Sequence, residues 1–88
     1  MDQMPRGLVL IEWEDSAQPT PAWQHSASLQ RGGVVRCQSV GFLLHEGKDV
    51  MILAPNIGDI STDNEQVSGI IRIPTRSIVR QLKLRVTR

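Results

Sequence analysis

Aromatic residues are nearly missing from this 88-residue chain: Trp13, Trp23 and Phe42 are the whole set, and tyrosine is absent. That excludes a sheet stacking successive single-stranded bases, because such platforms repeat aromatics along one face. Cys37 is the one cysteine, so no intrachain disulfide forms, and a reducing cytoplasm suits it. His25 and His45 match no zinc-ligand spacing, and Asp59, Asp63 and Glu65 lack a calcium-loop pattern. No metal and no cofactor is therefore expected. No apolar run reaches the ~20 residues that span a bilayer. The run Leu8 to Ile11 is also too short for a secretory core, so neither membrane nor signal peptide is expected. Acidic residues stop at Glu65, whereas Arg72, Arg76, Arg80, Lys83, Arg85 and Arg88 follow it. The net charge of +1 excludes an acidic mimic of DNA and gives no general drive toward nucleic acid.

What remains is a strand-rich pattern across one domain, residues 1–88, with residues 1–6 expected to be flexible. In Leu8 to Glu14, Val9, Ile11 and Trp13 alternate with Glu12 and Glu14, the signature of a half-buried strand. Asp15 and Ser16 end it through local side-chain hydrogen bonding. Ala17 to Gly33 carries two prolines and two glycines and predicts a long ordered loop pinned by Trp23, with one short helical turn within Trp23 to Gln30. A second strand spans about Val34 to Leu44, and Gly41 within it predicts a bulge or bend. Glu46-Gly47 turns the chain into Val50 to Ala54, which is apolar on both faces. Pro55 to Gln66 reads as a polar loop. Val67 to Ile73 reads as a fourth strand, stopped by Pro74, which has no N–H. Thr75 to Ser77 makes one helical turn. In the fifth strand Ile78, Leu82, Leu84 and Val86 are expected to face the core, with Val79, Gln81, Lys83 and Arg85 outward. The expected fold is all-β: a small five-stranded SH3-like or Sm-like barrel with a long loop after the first strand.

No catalytic constellation is legible. No serine sits in a nucleophile-elbow context, and Cys37 and His45 lie on one strand with Gly41 between them. A non-enzymatic role follows, since acid–base work needs paired groups within hydrogen-bond reach. Arg31-Gly-Gly-Val34 is followed by no helix and is a turn rather than a phosphate loop. The anion candidates are Arg72 and Arg76 around the turn, because guanidinium forks match phosphate oxygens, with the backbone N–H groups of Ser77 or Arg76 as further donors. Trp23 is the candidate stacking or lid residue. Trp13 reads more simply as core.

Ile11-Glu-Trp-Glu-Asp-Ser16, Trp23, the stretch Cys37 to Leu44, Leu53-Ala-Pro-Asn56 and Ile73-Pro-Thr-Arg-Ser-Ile78 together resemble a family of short proteins encoded by tailed bacteriophages and prophages. The resemblance covers nearly the whole chain and is one of strand pattern. It implies a phage accessory protein at work in the host bacterial cytoplasm, and small phage proteins of this type often counter host defences. The expected function is sequestration of a phosphate-bearing signal nucleotide by a homo-oligomer. The alternative is inhibition of a bacterial defence protein by direct binding, and a third reading is a nucleic-acid-binding or virion accessory module.

Overall fold

A computed structural model describes residues 7–17 and 19–87, so the expectation for residues 1–6 lies outside the described residues. Seven strands follow one another: β1 (Leu8–Asp15), β2 (Val35–Glu46), β3 (Val50–Ala54), β4 (Asn56–Gly58), β5 (Gln66–Ser68), β6 (Ile71–Pro74) and β7 (Ile78–Leu84). Two 3₁₀ turns, Ser26–Ser28 and Thr75–Ser77, interrupt them. Five strands form an antiparallel sheet in the order β6-β3-β2-β1-β7, and β4 pairs with β5 in a separate two-stranded sheet. The all-β expectation holds, and all five expected strands contribute to the large sheet, the fourth only through its second half.

The sheet curls, and the link between its edges requires it. In a flat sheet β6 and β7 would lie four strand spacings apart, roughly 19 Å at ~4.8 Å each. From Pro74 to Ile78 the chain reaches at most about 14 Å fully extended, and a 3₁₀ turn is shorter still. The two edges must therefore approach one another. The core shows the same curl: Val9 and Ile11 of β1 pack with Met51 and Leu53 of β3 and Ile73 of β6. Trp13, Leu43, Ile71 and Ile78 close around that cluster. No ladder joins β6 to β7 among the described residues, so the sheet is open where a closed barrel was expected.

Trp13 is part of the wall, as its alternation suggested, and its Nε1 donates to Ser39 Oγ at 3.0 Å. Gly41 faces Val9 and is buried. A Cβ there would stand 3.0 Å from the Ala54 carbonyl oxygen, so glycine lets β3 return closely across β2. The irregularity in the β2–β3 ladder falls later, between Leu43 and His45.

Three expectations change. The single strand Val67 to Ile73 is broken: Gly69 has φ +76°, a conformation open to glycine, and separates β5 from β6. The polar loop from Pro55 to Gln66 holds β4, which pairs back on β5 through Ile57↔Val67. The third change is at β7. The β1–β7 register shifts between Glu12 and Trp13, which face Arg80 and Ile78 and leave Val79 as an extra residue. One extra residue inverts the facing of everything beyond it. Leu82 and Leu84 therefore stand opposite Leu10 and Leu8 on the outer face, and Gln81 and Lys83 stand opposite Ile11 and Val9 on the core face. Val86 is exposed rather than in the core.

Between β1 and β2 the chain forms an arm, residues 16–34, in which every described residue is exposed. Trp23 has a relative exposure of 101% and Leu29 of 64%. The expected helical turn is the short one at Ser26–Ser28, but Trp23 does not pin the arm to the sheet. The molecule measures 63 × 28 × 26 Å, and its radius of gyration of 17.7 Å exceeds the ~12 Å of a compact chain of this length.

Candidate functional site

The Thr75–Ser77 turn is held by the hairpin next to it. Thr75 N–H donates to the Asp49 carbonyl at 3.0 Å and its Oγ1 donates to the Gly47 carbonyl at 2.8 Å. Gly47 N–H in turn donates to the Val50 carbonyl at 3.0 Å. This ties the turn that carries Arg76 and Ser77 to the β2–β3 connection. Arg72 lies opposite Ile52 in the β3–β6 ladder, two positions before Pro74, and Arg76 lies two positions after it. Both arginines are exposed, and Ser77 is half-buried.

The cationic run after Glu65 is thus divided by the fold. Arg80 is committed: its Nε donates to Glu12 Oε1, and Gln38 Nε2 donates to Glu12 Oε2 at 3.2 Å. The Arg80 hydrogen bond, then that of Gln38, lowers the Glu12 carboxyl below its ordinary range. Lys83 sits on the core face at the other end of the sheet. There it lines a cavity of about 480 Å³ with Leu8, Leu43, Glu46, Gln81 and Leu84. Among the described residues, Arg72 and Arg76 have no carboxylate partner.

Of the four sequence candidates, Arg72 lies on β6 and Arg76 and Ser77 on the turn that follows it, whereas the fully exposed Trp23 touches none of them. Trp23 belongs to the arm, which leaves the sheet at Asp15 and Val35. That end of β1 also carries Trp13, which faces Ile78 directly after the turn, so arm and turn share one end of the molecule. Among the described residues no group of three His, Cys, Asp or Glu could hold a metal ion. No helix is long and apolar enough to cross a membrane.

A second surface was not legible in the sequence. Opposite the core, Leu8, Leu10, Val40, Phe42, Leu82 and Leu84 form a block two residues long and three strands wide. Val40 is 50% and Leu82 38% exposed. The Glu12–Gln38–Arg80 row borders this block on the side toward the arm. The signal was present as the outward Leu8 and Leu10, but the β7 half of the block depends on the Val79 bulge.

Comparison with protein-family models, with curated proteins and with solved structures finds no match to this chain. A functional reading therefore rests on its own residues.

Proposed function

We propose that this chain is a non-catalytic binding module on a small SH3-like barrel, and that it sequesters a phosphate-bearing signal nucleotide at the corner of Arg72, Arg76 and Ser77. The strand order β6-β3-β2-β1-β7, with a single 3₁₀ turn between the two edge strands, supports the SH3-like reading. The setting, a phage accessory protein countering defence in a bacterial host, comes from the sequence resemblance.

One observation carries the ligand reading. Two exposed guanidinium groups flank Pro74 and have no carboxylate partner among the described residues, although the same chain pairs Arg80 with Glu12. An anion that accepts from both arginines gains charge-assisted hydrogen bonds without breaking an existing pair. Trp23 supplies a free aromatic face for a base.

Titration calorimetry with a panel of cyclic mono- and dinucleotides tests this. Arg72→Ala and Arg76→Ala should each weaken binding roughly ten- to a hundredfold, the effect of one charged hydrogen bond of about 1.5–3 kcal/mol. Their circular dichroism should match the wild type. If the wild-type chain gives no heat with any nucleotide, the reading is wrong. The second reading, inhibition of a host protein by direct binding, is favoured by the exposed Trp23 and Leu29 on the arm. Capture of one defence protein by the wild type, lost on Trp23→Ala, would put it first.

A further inference from the structure

The core face of the sheet turns polar at one end. Val9, Ile11, Met51, Leu53 and Ile73 are each 3% exposed or less. Beside them on β7, the Val79 bulge turns Gln81 and Lys83 to the same face, opposite Ile11 and Val9. On β2, Glu46 stands opposite the buried Met51 and so belongs to that face as well. Gln81, Lys83 and Glu46 line one cavity of about 480 Å³, together with Val9, Leu43 and Leu84. Its size falls within the range of about 300–1,000 Å³ typical of small-molecule sites, and a few polar groups over an apolar lining are the usual make-up of one. Lys83 and Glu46 are exposed, so the cavity is open to solvent. Among the described residues, none of the three polar side chains has a hydrogen bond or an ion pair. Glu46 and Lys83 line the same space and do not pair with each other.

We propose that this cavity is a second ligand site, which takes a small zwitterion with an apolar body, the chemistry of a free apolar amino acid or a short apolar peptide.

Charge decides the class. A purely anionic ligand meets Lys83 but faces Glu46. A purely cationic ligand meets Glu46 but faces Lys83. An uncharged apolar molecule covers both charges and gives neither a partner, which costs desolvation. A zwitterion satisfies both ends at once. Its carboxylate accepts from Lys83 Nζ and from the Gln81 amide, and its ammonium donates to the Glu46 carboxylate. The two ionic contacts are charge-assisted hydrogen bonds, and the body rests on Val9, Leu43 and Leu84.

The bulge is what makes this end polar. Without the extra residue, strand alternation would turn Leu82 and Leu84 to the core face and fill the space with leucine. With it, Gln81 and Lys83 take those places. The inference does not depend on the nucleotide reading, because neither Arg72 nor Arg76 lines the cavity.

Amide-detected NMR titration of the full chain tests it with four probes: leucine, the dipeptide of two leucines, N-acetyl-leucine and leucinamide. Leucine or the dipeptide should move the signals of Leu43, Gln81 and Lys83, and the tighter of the two names the source. Each blocked probe keeps one charge and should bind at least about tenfold more weakly, the loss of one charged hydrogen bond. Lys83→Met and Glu46→Gln should weaken the zwitterion by a similar factor. The variants should also divide by ligand end: Lys83→Met does not weaken leucinamide, and Glu46→Gln does not weaken N-acetyl-leucine. The proposal is overturned if neither zwitterion moves a signal, or if the shifts fall only on residues outside the cavity. It is equally overturned by blocked probes that bind as tightly as leucine, or by variants that bind the zwitterion as the wild type does. Both substitutions are at exposed positions and should keep the wild-type circular dichroism. Should either lose it, the four-probe series on the wild type still decides the matter.

Discussion

Replacing Gly41 by alanine sets two opposing effects of known size against each other. Gly41 has an ordinary strand conformation, so alanine would narrow the unfolded ensemble and stabilise the protein by about 0.4–1 kcal/mol. Against this, the new Cβ would meet the Ala54 backbone at 3.0 Å (O), 3.1 Å (C) and 3.3 Å (N). No side chain can swing away there. Ala54 is fully buried in β3, between the ladders to β2 and β6, so the strand itself must move. Overpacking of this kind costs about 1–3 kcal/mol. The steric effect should win, leaving Gly41→Ala about 1 kcal/mol less stable, which lowers Tm by about 4–8 °C for a domain of this size. Urea unfolding followed by far-ultraviolet circular dichroism measures it. Gly33→Ala is the control, since a Cβ there meets nothing within 4 Å and should be neutral or slightly stabilising. Equal or greater stability of Gly41→Ala than of Gly33→Ala would refute the close approach of β3 over β2.

The Arg80 and Gln38 hydrogen bonds depress the Glu12 carboxyl in the folded state, so they stabilise the protein above the unfolded carboxylate range near 4.5. That contribution should fade as pH falls through the lower folded value, and Glu12→Gln should remove this part of the dependence in denaturant titrations at stepped pH. Gly69→Ala combines a φ of +76° with a Cβ only 2.9 Å from Pro55 Cγ, and should destabilise by about 1 kcal/mol or more. Its Tm should drop below that of the wild type; an unchanged Tm would mean that the β5–β6 break relaxes freely. The arginine variants of the Pro74 corner should keep wild-type Tm, because neither side chain is buried and neither has an ion-pair partner among the described residues, and thermal melts check this beside the ligand titrations.

Much of this architecture was legible because local chemistry and tertiary structure agree. The Val9-Ile11-Trp13 alternation, the turn at Gly47, the stop at Pro74 and the single 3₁₀ turn after it each have a cause within a few residues. What escaped depends on distant partners. The outward facing of Leu82 and Leu84 follows from a bulge opposite Glu12 and Trp13, and strand alternation alone does not reveal which partner absorbs an extra residue. The β4–β5 pair was missed because Asn56–Gly58 and Gln66–Ser68 are three-residue strands with one half-buried residue each. At the candidate site, Arg72, Arg76 and Ser77 lie within six positions of one another in the sequence, so their nearness along the chain was legible. Trp23 joins them only in sharing one end of the molecule, and no sequence pattern encodes where a proline-bracketed arm points.

The place of β1 between β2 and the edge strand β7 also orders the events of folding. On one side its ladder leads through β2 to a tight turn into β3. On the other it pairs with β7, bringing Glu12 to Arg80 across a separation of 68 residues. Each doubling of a loop costs about 0.6 kcal/mol in closure entropy, so the β7 side starts about 2.5 kcal/mol behind a four-residue turn. β7 is thus the strand expected to zip on late and to peel off early. Leu82 and Leu84 complete the outer apolar block only when it does. That outer apolar block is therefore assembled at the end of folding, and an unfinished chain does not display it whole.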